Sequence, residues 1–229
     1  MQVLVLASQK GGAGKTTLAF HLAVAAETAG AGPVAMLDAD DQATLTNWWK
    51  KRDGDTPRLA ACEIGTLATT LGELKDNGTR LVIVDTAGRD NVANRAIIQQ
   101  ADLVVMPVKP SAGDLWALSK TVNVCGELKR PFIFVVCQAV RGTSMTNQAL
   151  SALSEYGAVA PIIHNRVSYA AAMGIGQTAQ EMEPKSPGAA EIADLWQFVQ
   201  KHLRADVHKR KPEGVQAGKR ARQKEAVAS

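Results

Sequence analysis

Short apolar, β-branched runs recur along the chain between stretches with helical spacing. The runs Val3–Ala7, Val34–Leu37, Leu81–Val84, Leu103–Pro107, Phe132–Cys137 and Val159–Ile163 read as strands. Between them, Thr16–Ala29, Thr44–Lys51, Asn91–Gln100, Leu115–Leu128 and Asn147–Glu155 read as helices. Ser186-Pro187 opens a last helix, with proline in the first turn where its missing N–H is harmless, running through about Leu203. Strands alternating with helices predict an α/β fold in three layers, a mostly parallel central sheet flanked by helices. No internal repeat and no second domain are legible. After Val215 the only large apolar residue is Val227, so the expected organisation is one folded domain over 1–204 and an unfolded tail over 205–229.

Composition narrows the class. At 229 residues and 46% hydrophobic, the chain is long enough for one sizeable core, against a usual roughly 100–200 residues per domain. Cys62, Cys125 and Cys137 are far apart and form no CxxC pair or His-containing cluster, which disfavours a disulfide scaffold, a zinc site and an iron–sulfur site. A reducing cytoplasm is the expected compartment. No basic n-region precedes Val3-Leu4-Val5-Leu6, and no apolar run approaches the ~20 residues that cross a bilayer, so secretion and membrane spanning are not expected. The net charge of +4 is uneven: residues 201–229 carry nine Lys or Arg against three acidic residues, or +6, which leaves −2 for the body. A basic end of this kind attracts polyanions without reading sequence, and it also serves simply as a solubilising segment.

The chemistry concentrates after the first strand. Gly11, Gly12 and Gly14 lead into the helix that begins at Thr16, an order that brings backbone N–H groups and a helix N-terminus around one point, where a polyphosphate binds. Glycines allow the close approach, Lys15 reaches the β- and γ-phosphates, and the Thr16 hydroxyl is placed for Mg²⁺. The common GxxxxGK[ST] pattern fails at its first position, where Gln9 stands; the match is to KGGxGKT[ST], with Lys10 as an additional lysine.

Lys10-Gly11-Gly12-Ala13-Gly14-Lys15-Thr16-Thr17 resembles the signature of the ParA/MinD superfamily of deviant Walker ATPases. Asp38-Ala39-Asp40-Asp41-Gln42 is similar to the family's DxDPQ segment, with Asp41 in place of proline. The resemblance implies that Asp38 supports the water shell of the metal and that Asp40 orients the attacking water. An Asp-x-Asp after a strand, taken alone, also reads as a helix cap or a solvated turn. Leu81–Val84 ends in Asp85-Thr86-Ala87-Gly88, the Walker B form, which makes Asp85 a second Mg²⁺-supporting carboxylate and lets Gly88 free the loop that follows. Pro107-Val108-Lys109-Pro110-Ser111 and Asp114-Leu115-Trp116-Ala117 look like the small plasmid-type ParA partition ATPases that lack an N-terminal helix-turn-helix. Trp116 itself reads as helix core.

By the same resemblance the nucleotide is ATP, held by Gly11, Gly12, Ala13, Gly14, Lys15, Thr16 and Thr17. Gln138 stands where the family places an adenine-contacting asparagine, and backbone near Pro161 completes the base pocket. Lys10 would reach across a two-fold interface to the partner's nucleotide, giving a homodimer formed with ATP. Lys10, Lys15 and Asp40 are the catalytic candidates; Thr16, Asp38 and Asp85 are the metal candidates. Implied partners are non-specific double-stranded DNA and a ParB-like centromere-binding or adaptor protein, with the protein associated with the nucleoid. Arg166 and Lys185 are further DNA-contact candidates. A ParA-like positioner of another cargo over the nucleoid shares every motif and stays open. A MinD-like membrane positioner loses ground, because 204–229 lacks the bulky apolar face of a membrane-binding helix, and a cluster carrier finds no paired cysteines. Trp48 and Trp49 occupy adjacent helix positions, so one is expected in the core and the other at a surface.

Overall fold

The computed structural model describes residues 1–88 and 92–209. In chain order the first half runs β1 (Gln2–Leu6), α1 (Lys15–Thr28), β2 (Val34–Ala39), α2 (Thr44–Lys50), β3 (Arg58–Ala60), a 3-10 turn at Ile64–Thr66, α3 (Leu67–Asp76), β4 (Leu81–Thr86) and α4 (Val92–Gln100). The second half runs β5 (Leu103–Val108), α5 (Ala112–Glu127), β6 (Phe132–Ala139), α6 (Ser144–Ser154), β7 (Ala158–Val159), β8 (Ile163–His164), α7 (Val167–Gly174), α8 (Ala179–Met182) and α9 (Pro187–Lys209). The strands form one sheet in the order β3-β2-β4-β1-β5-β6-β7, with β8 also on β6. Every pairing is parallel, as the alternation of strands and helices predicts.

Between polar residues at their ends, Gln2, Asp38, Asp85 and Thr86, the central strands are apolar because both faces of the sheet are covered. Successive residues nevertheless divide between two cores. Leu4, Leu6, Met36, Ile83 and Val105 face α1, α2 and α9, where Phe20, Trp48, Ile192, Leu195 and Trp196 meet them. Val3, Val5, Leu37, Val84 and Val104 face the other side, with Leu71, Ile97, Leu118 and Leu153. Leu18 to Ala26 of α1 are buried without a break, as expected of a helix enclosed on all sides. This burial fixes the helix that carries the phosphate-binding loop.

Several boundaries differ from the sequence expectation. The run Val159–Ile163 is two short strands, because Pro161 has no N–H to give the ladder. The helix read from Leu115 starts at Ala112, capped by Ser111 accepting from the Asp114 N–H, and the one read from Asn147 starts at Ser144. β3, α3, α7 and α8 were not expected. α9 continues to Lys209, past the boundary drawn at 204, while 210–229, most of the expected tail, lie outside the described residues.

The tryptophans also sort themselves. Trp48 is the core residue: it stacks on Phe20 with centroids 4.7 Å apart, and its indole N–H donates to the Gln177 carbonyl at 2.9 Å. Trp49 is half-buried, its N–H donating to the Pro57 carbonyl, so it is not a free surface group. Trp116 is 77% exposed, against the expectation of helix core, because the buried stripe of α5 is Leu118, Thr121 and Cys125.

Candidate functional site

The carboxyl ends of β1, β4 and β2 carry the chemistry to one place. Register pairs Leu6 with Asp85 and Asp85 with Asp38, so the strand-end carboxylates stand beside the start of the glycine-rich loop. Gly12 and Gly14 take φ +71° and +107°, which side chains disfavour. The first backbone ladder bond of α1 is Leu18 N–H to Gly14 O, so the N–H groups of Lys15, Thr16 and Thr17 have no partner within the helix. Together with the N-terminal positive end of α1 they make a cradle suited to anionic oxygens.

The Lys15 ammonium is buried in this cradle and donates to the Lys10 carbonyl at 3.3 Å. Burial lowers its pKa, while the charges of Asp85 and Asp40 act the other way. The Thr16 hydroxyl donates to Asp85 Oδ2 at 2.5 Å. Asp85 is fully buried, and its Oδ1 has no partner. Burial pushes its pKa up to about 7; the Thr16 bond and Lys15 pull it down, and Asp38 and Asp40 push it further up. A buried carboxylate oxygen left without a partner calls for a water, an ion or a ligand. A cation held by Thr16 on one side and reaching Asp85 through water fits that donor set. Among the described residues no group of three or more His, Cys, Asp or Glu is arranged to hold a metal ion.

The other carboxylates are held by their neighbours. Asp38 Oδ1 accepts from the Asp40 N–H at 3.2 Å, and its Oδ2 accepts from both the N–H and the hydroxyl of Thr46 at 2.8 Å. The alternative reading of Asp38 as a helix-end acceptor therefore applies: it ties the first turn of α2. Asp40 accepts from the Gln42 N–H at 3.1 Å and lines the cleft, while Asp41 is exposed. On the far wall, a β-carbon on Gly88 would lie 2.9 Å from Gly11 N and 3.0 Å from Gly11 Cα, so only glycine fits against the loop.

The resulting cleft, about 350 Å³, is lined by Gly11, Gly12, Gly14, Lys15, Thr16, Thr17, Asp40, Gln42, Thr44, Gly88, Gln138 and Met173. A neighbouring cavity of about 250 Å³ shares Gly14, Thr17, Gln138 and Met173 with it and is walled by Ile163, His164, Asn165, Arg166 and Tyr169. Pro161 is not among the residues lining either one; the wall lies a few residues further on. Gln138, with φ +54°, turns its amide back to the Gly12 carbonyl at 2.8 Å, so it braces the phosphate loop at the junction of the two cavities. Ala13 is buried under the loop. Lys10 is exposed on the rim, its Nζ 3.4 Å from where a β-carbon on Gly113 would sit, and Lys109 Nζ stands 3.6 Å from the corresponding point on Gly12. Lys109 lies within the Pro107–Ser111 motif, but its placement over the phosphate loop follows from the fold and not from the motif.

Of the surface cations proposed for a polyanion, Arg166 is already engaged, donating to Glu191 through Nε and Nη2 at 3.1 and 2.5 Å; Lys185 is exposed. No helix among the described residues is long and apolar enough to cross a membrane.

Comparison with known proteins gives this geometry a family. A profile of the CobQ/CobB/MinD/ParA nucleotide binding domain matches residues 4–178. The chain belongs to that family. The protein ParA of Rhizobium radiobacter is 31% identical over 207 residues, covering 83% of this chain and 90% of that protein. The maintenance of carboxysome distribution protein A of Gloeobacter kilaueensis is 36% identical over 124 residues, covering 53% of this chain and 56% of that protein. Among solved structures, the septum site-determining protein MinD of Pyrococcus horikoshii, complexed with Mg-ADP, superposes with a TM-score of 0.75 at 16% identity, covering 90% of this chain and 98% of that one. The family assignment bears out the resemblance read from Lys10–Thr17, and the CobQ/CobB/MinD/ParA fold is the three-layer α/β fold described above.

Proposed function

We propose that this chain is an ATP-dependent dimerising ATPase that serves as a switch in DNA partition, plasmid or chromosomal. The observation that carries the reading is the convergence of Lys15, the Thr16–Asp85 pair and Asp40 on one glycine-lined cleft, with Lys10 exposed at its rim. In this reading Gly11 to Thr17 hold the triphosphate through backbone N–H groups and Lys15, and the second cavity takes the base. Thr16 would hold Mg²⁺ directly, with Asp38 and Asp85 supporting its waters, and the ion would supply positive charge at the β- and γ-phosphates. Asp40 would accept a hydrogen bond from a water at the γ-phosphate and so orient it for attack. Lys10 extends to the nucleotide of a second copy, where its charge stabilises the transferring phosphate. Without a partner protein the turnover would be slow.

The partition task is supported by the relative named ParA, which aligns over most of both chains. The ATPase domain would occupy 1–204, with 205–229 as a basic tail that meets DNA backbones in a salt-sensitive, sequence-independent way near the nucleoid in the cytoplasm. A ParB-like adaptor would stimulate hydrolysis and release. The match to a carboxysome distribution protein supports a second reading, a positioner of another cargo by the same cycle. Light scattering and plasmid co-sedimentation with ATP, ADP or no nucleotide test the proposal. The expected result is dimerisation and DNA binding with ATP alone, lost in Lys10→Ala while nucleotide still binds the monomer. An unchanged ATP dimer in Lys10→Ala, or ATP-bound protein that prefers vesicles to plasmid at ordinary salt, would overturn it.

A further inference from the structure

We infer that Glu191 of α9 is the positioning residue of the second cavity, holding its wall in shape without touching the ligand; this rests on the reading that the cavity takes the base. The carboxylate is met by five donors, all from the six-residue stretch 164–169. Its Oε1 accepts from His164 Nδ1–H at 2.7 Å and Arg166 Nη2 at 2.5 Å. Its Oε2 accepts from the His164 backbone N–H at 3.2 Å, Arg166 Nε at 3.1 Å and the Tyr169 hydroxyl at 2.9 Å. His164, Arg166 and Tyr169 line the cavity; Glu191 does not.

The wall needs such a fastener. β8 is two residues long and pairs with β6 across a register shift, so the ladder contributes little to its shape. α7 begins at Val167, directly after Arg166, and is eight residues long. Glu191, by contrast, belongs to a helix whose Ile192, Leu195 and Val199 are fully buried in the core beneath α1. A rigid carboxylate taking several charge-assisted bonds from a short irregular segment fixes that segment in one arrangement. The cavity is thereby formed before any base enters, and binding does not have to order it.

Equilibrium binding to the full-length protein, by competition against a fluorescent ATP analogue, separates base from phosphate recognition when ATP and inorganic tripolyphosphate are compared. Glu191→Gln keeps the side chain's shape but turns a donor amide toward Arg166. The expected result is ATP binding weakened about tenfold, with tripolyphosphate unchanged. Unchanged ATP affinity, or an equal loss for both ligands, would overturn the assignment. Should Glu191→Gln fail to fold, Tyr169→Phe removes one of the five bonds, and a loss of about two- to threefold confined to ATP is expected; equal losses there count against it. If the wild-type protein holds tripolyphosphate as tightly as ATP, the base-cavity reading itself falls, and Glu191 with it.

Discussion

His21 offers a direct test of how the phosphate-loop helix is anchored. The ring is wholly buried in α1, and its Nδ1–H donates to the Thr17 carbonyl at 2.8 Å while Nε2 accepts from the Ala179 N–H at 3.0 Å. The ring must be neutral for this, since a second proton on Nε2 would face another donor. Burial lowers its pKa from 6.5 to about 4, only partly opposed by the Thr17 carbonyl and Glu181. The unfolded chain therefore takes up a proton below about pH 6.5 that the native protein refuses until about pH 4. Stability from this residue is fully present above pH 6.5 and is lost as pH falls toward 4. The complete loss is about 3 kcal/mol, and about 2 kcal/mol is gone by pH 5. Urea unfolding followed by tryptophan fluorescence at pH 8 and pH 5, on wild type and His21→Gln, isolates the effect. Glu191, held down to about 2 chiefly by Arg166 against the opposing effect of burial, stays ionised at both pH values and cancels. Wild type should lose about 2 kcal/mol more than the variant. Equal losses in the two proteins would refute the reasoning.

Three other substitutions test separate parts of the structure. Gly88→Ala drives a β-carbon into the Gly11 backbone, which has no rotamer to escape by; nucleotide affinity should fall at least about tenfold in a calorimetric titration, with an overpacking cost of about 1–3 kcal/mol in a melt. Asp40→Ala should lower phosphate release on the order of 100-fold while ATP affinity stays within about threefold; matched losses would reassign Asp40 to binding. Trp48→Ala removes a side chain that is 1% exposed and stacked on Phe20, and should cost about 3–5 kcal/mol, read as a drop in denaturation midpoint.

What the sequence shows depends on whether the signal is local. Lys10 to Thr17 are legible because they come soon after an apolar strand, and Asp38 and Asp85 because each closes an apolar run at the carboxyl end of a strand; the parallel sheet brings those ends together. Leu67, Leu71 and Leu74 were a usable signal for α3, at helical spacing on one face, and were missed among the polar residues between them. β3 is three residues long and too short to show any period. Pro161 was placed in the base pocket from a resemblance, but the proline breaks the strand, and the cavity wall begins at Ile163. Neither the grip of Glu191 on 164–169 nor the contact of His21 with Ala179 leaves a trace in any window of sequence. The first depends on the packing of α9 against β8 and the second on that of α1 against α8, which join residues far apart in the chain.

Thr16 illustrates how little chemistry a strong preference requires. Its one hydroxyl proton is committed to Asp85, so toward the open cleft the oxygen presents lone pairs and nothing else. A hydroxyl with a free rotor would greet an anion by swinging its hydrogen outward; this one, while the contact lasts, is polarised in a single sense. Electron-poor atoms are drawn to it and phosphate oxygens are turned toward the backbone N–H groups instead. The backbone N–H groups and Lys15 thus face the negative part of whatever enters the cleft, and the direction of a single O–H bond, set from beneath by a carboxylate at the end of β4, leaves one point among them for the positive part.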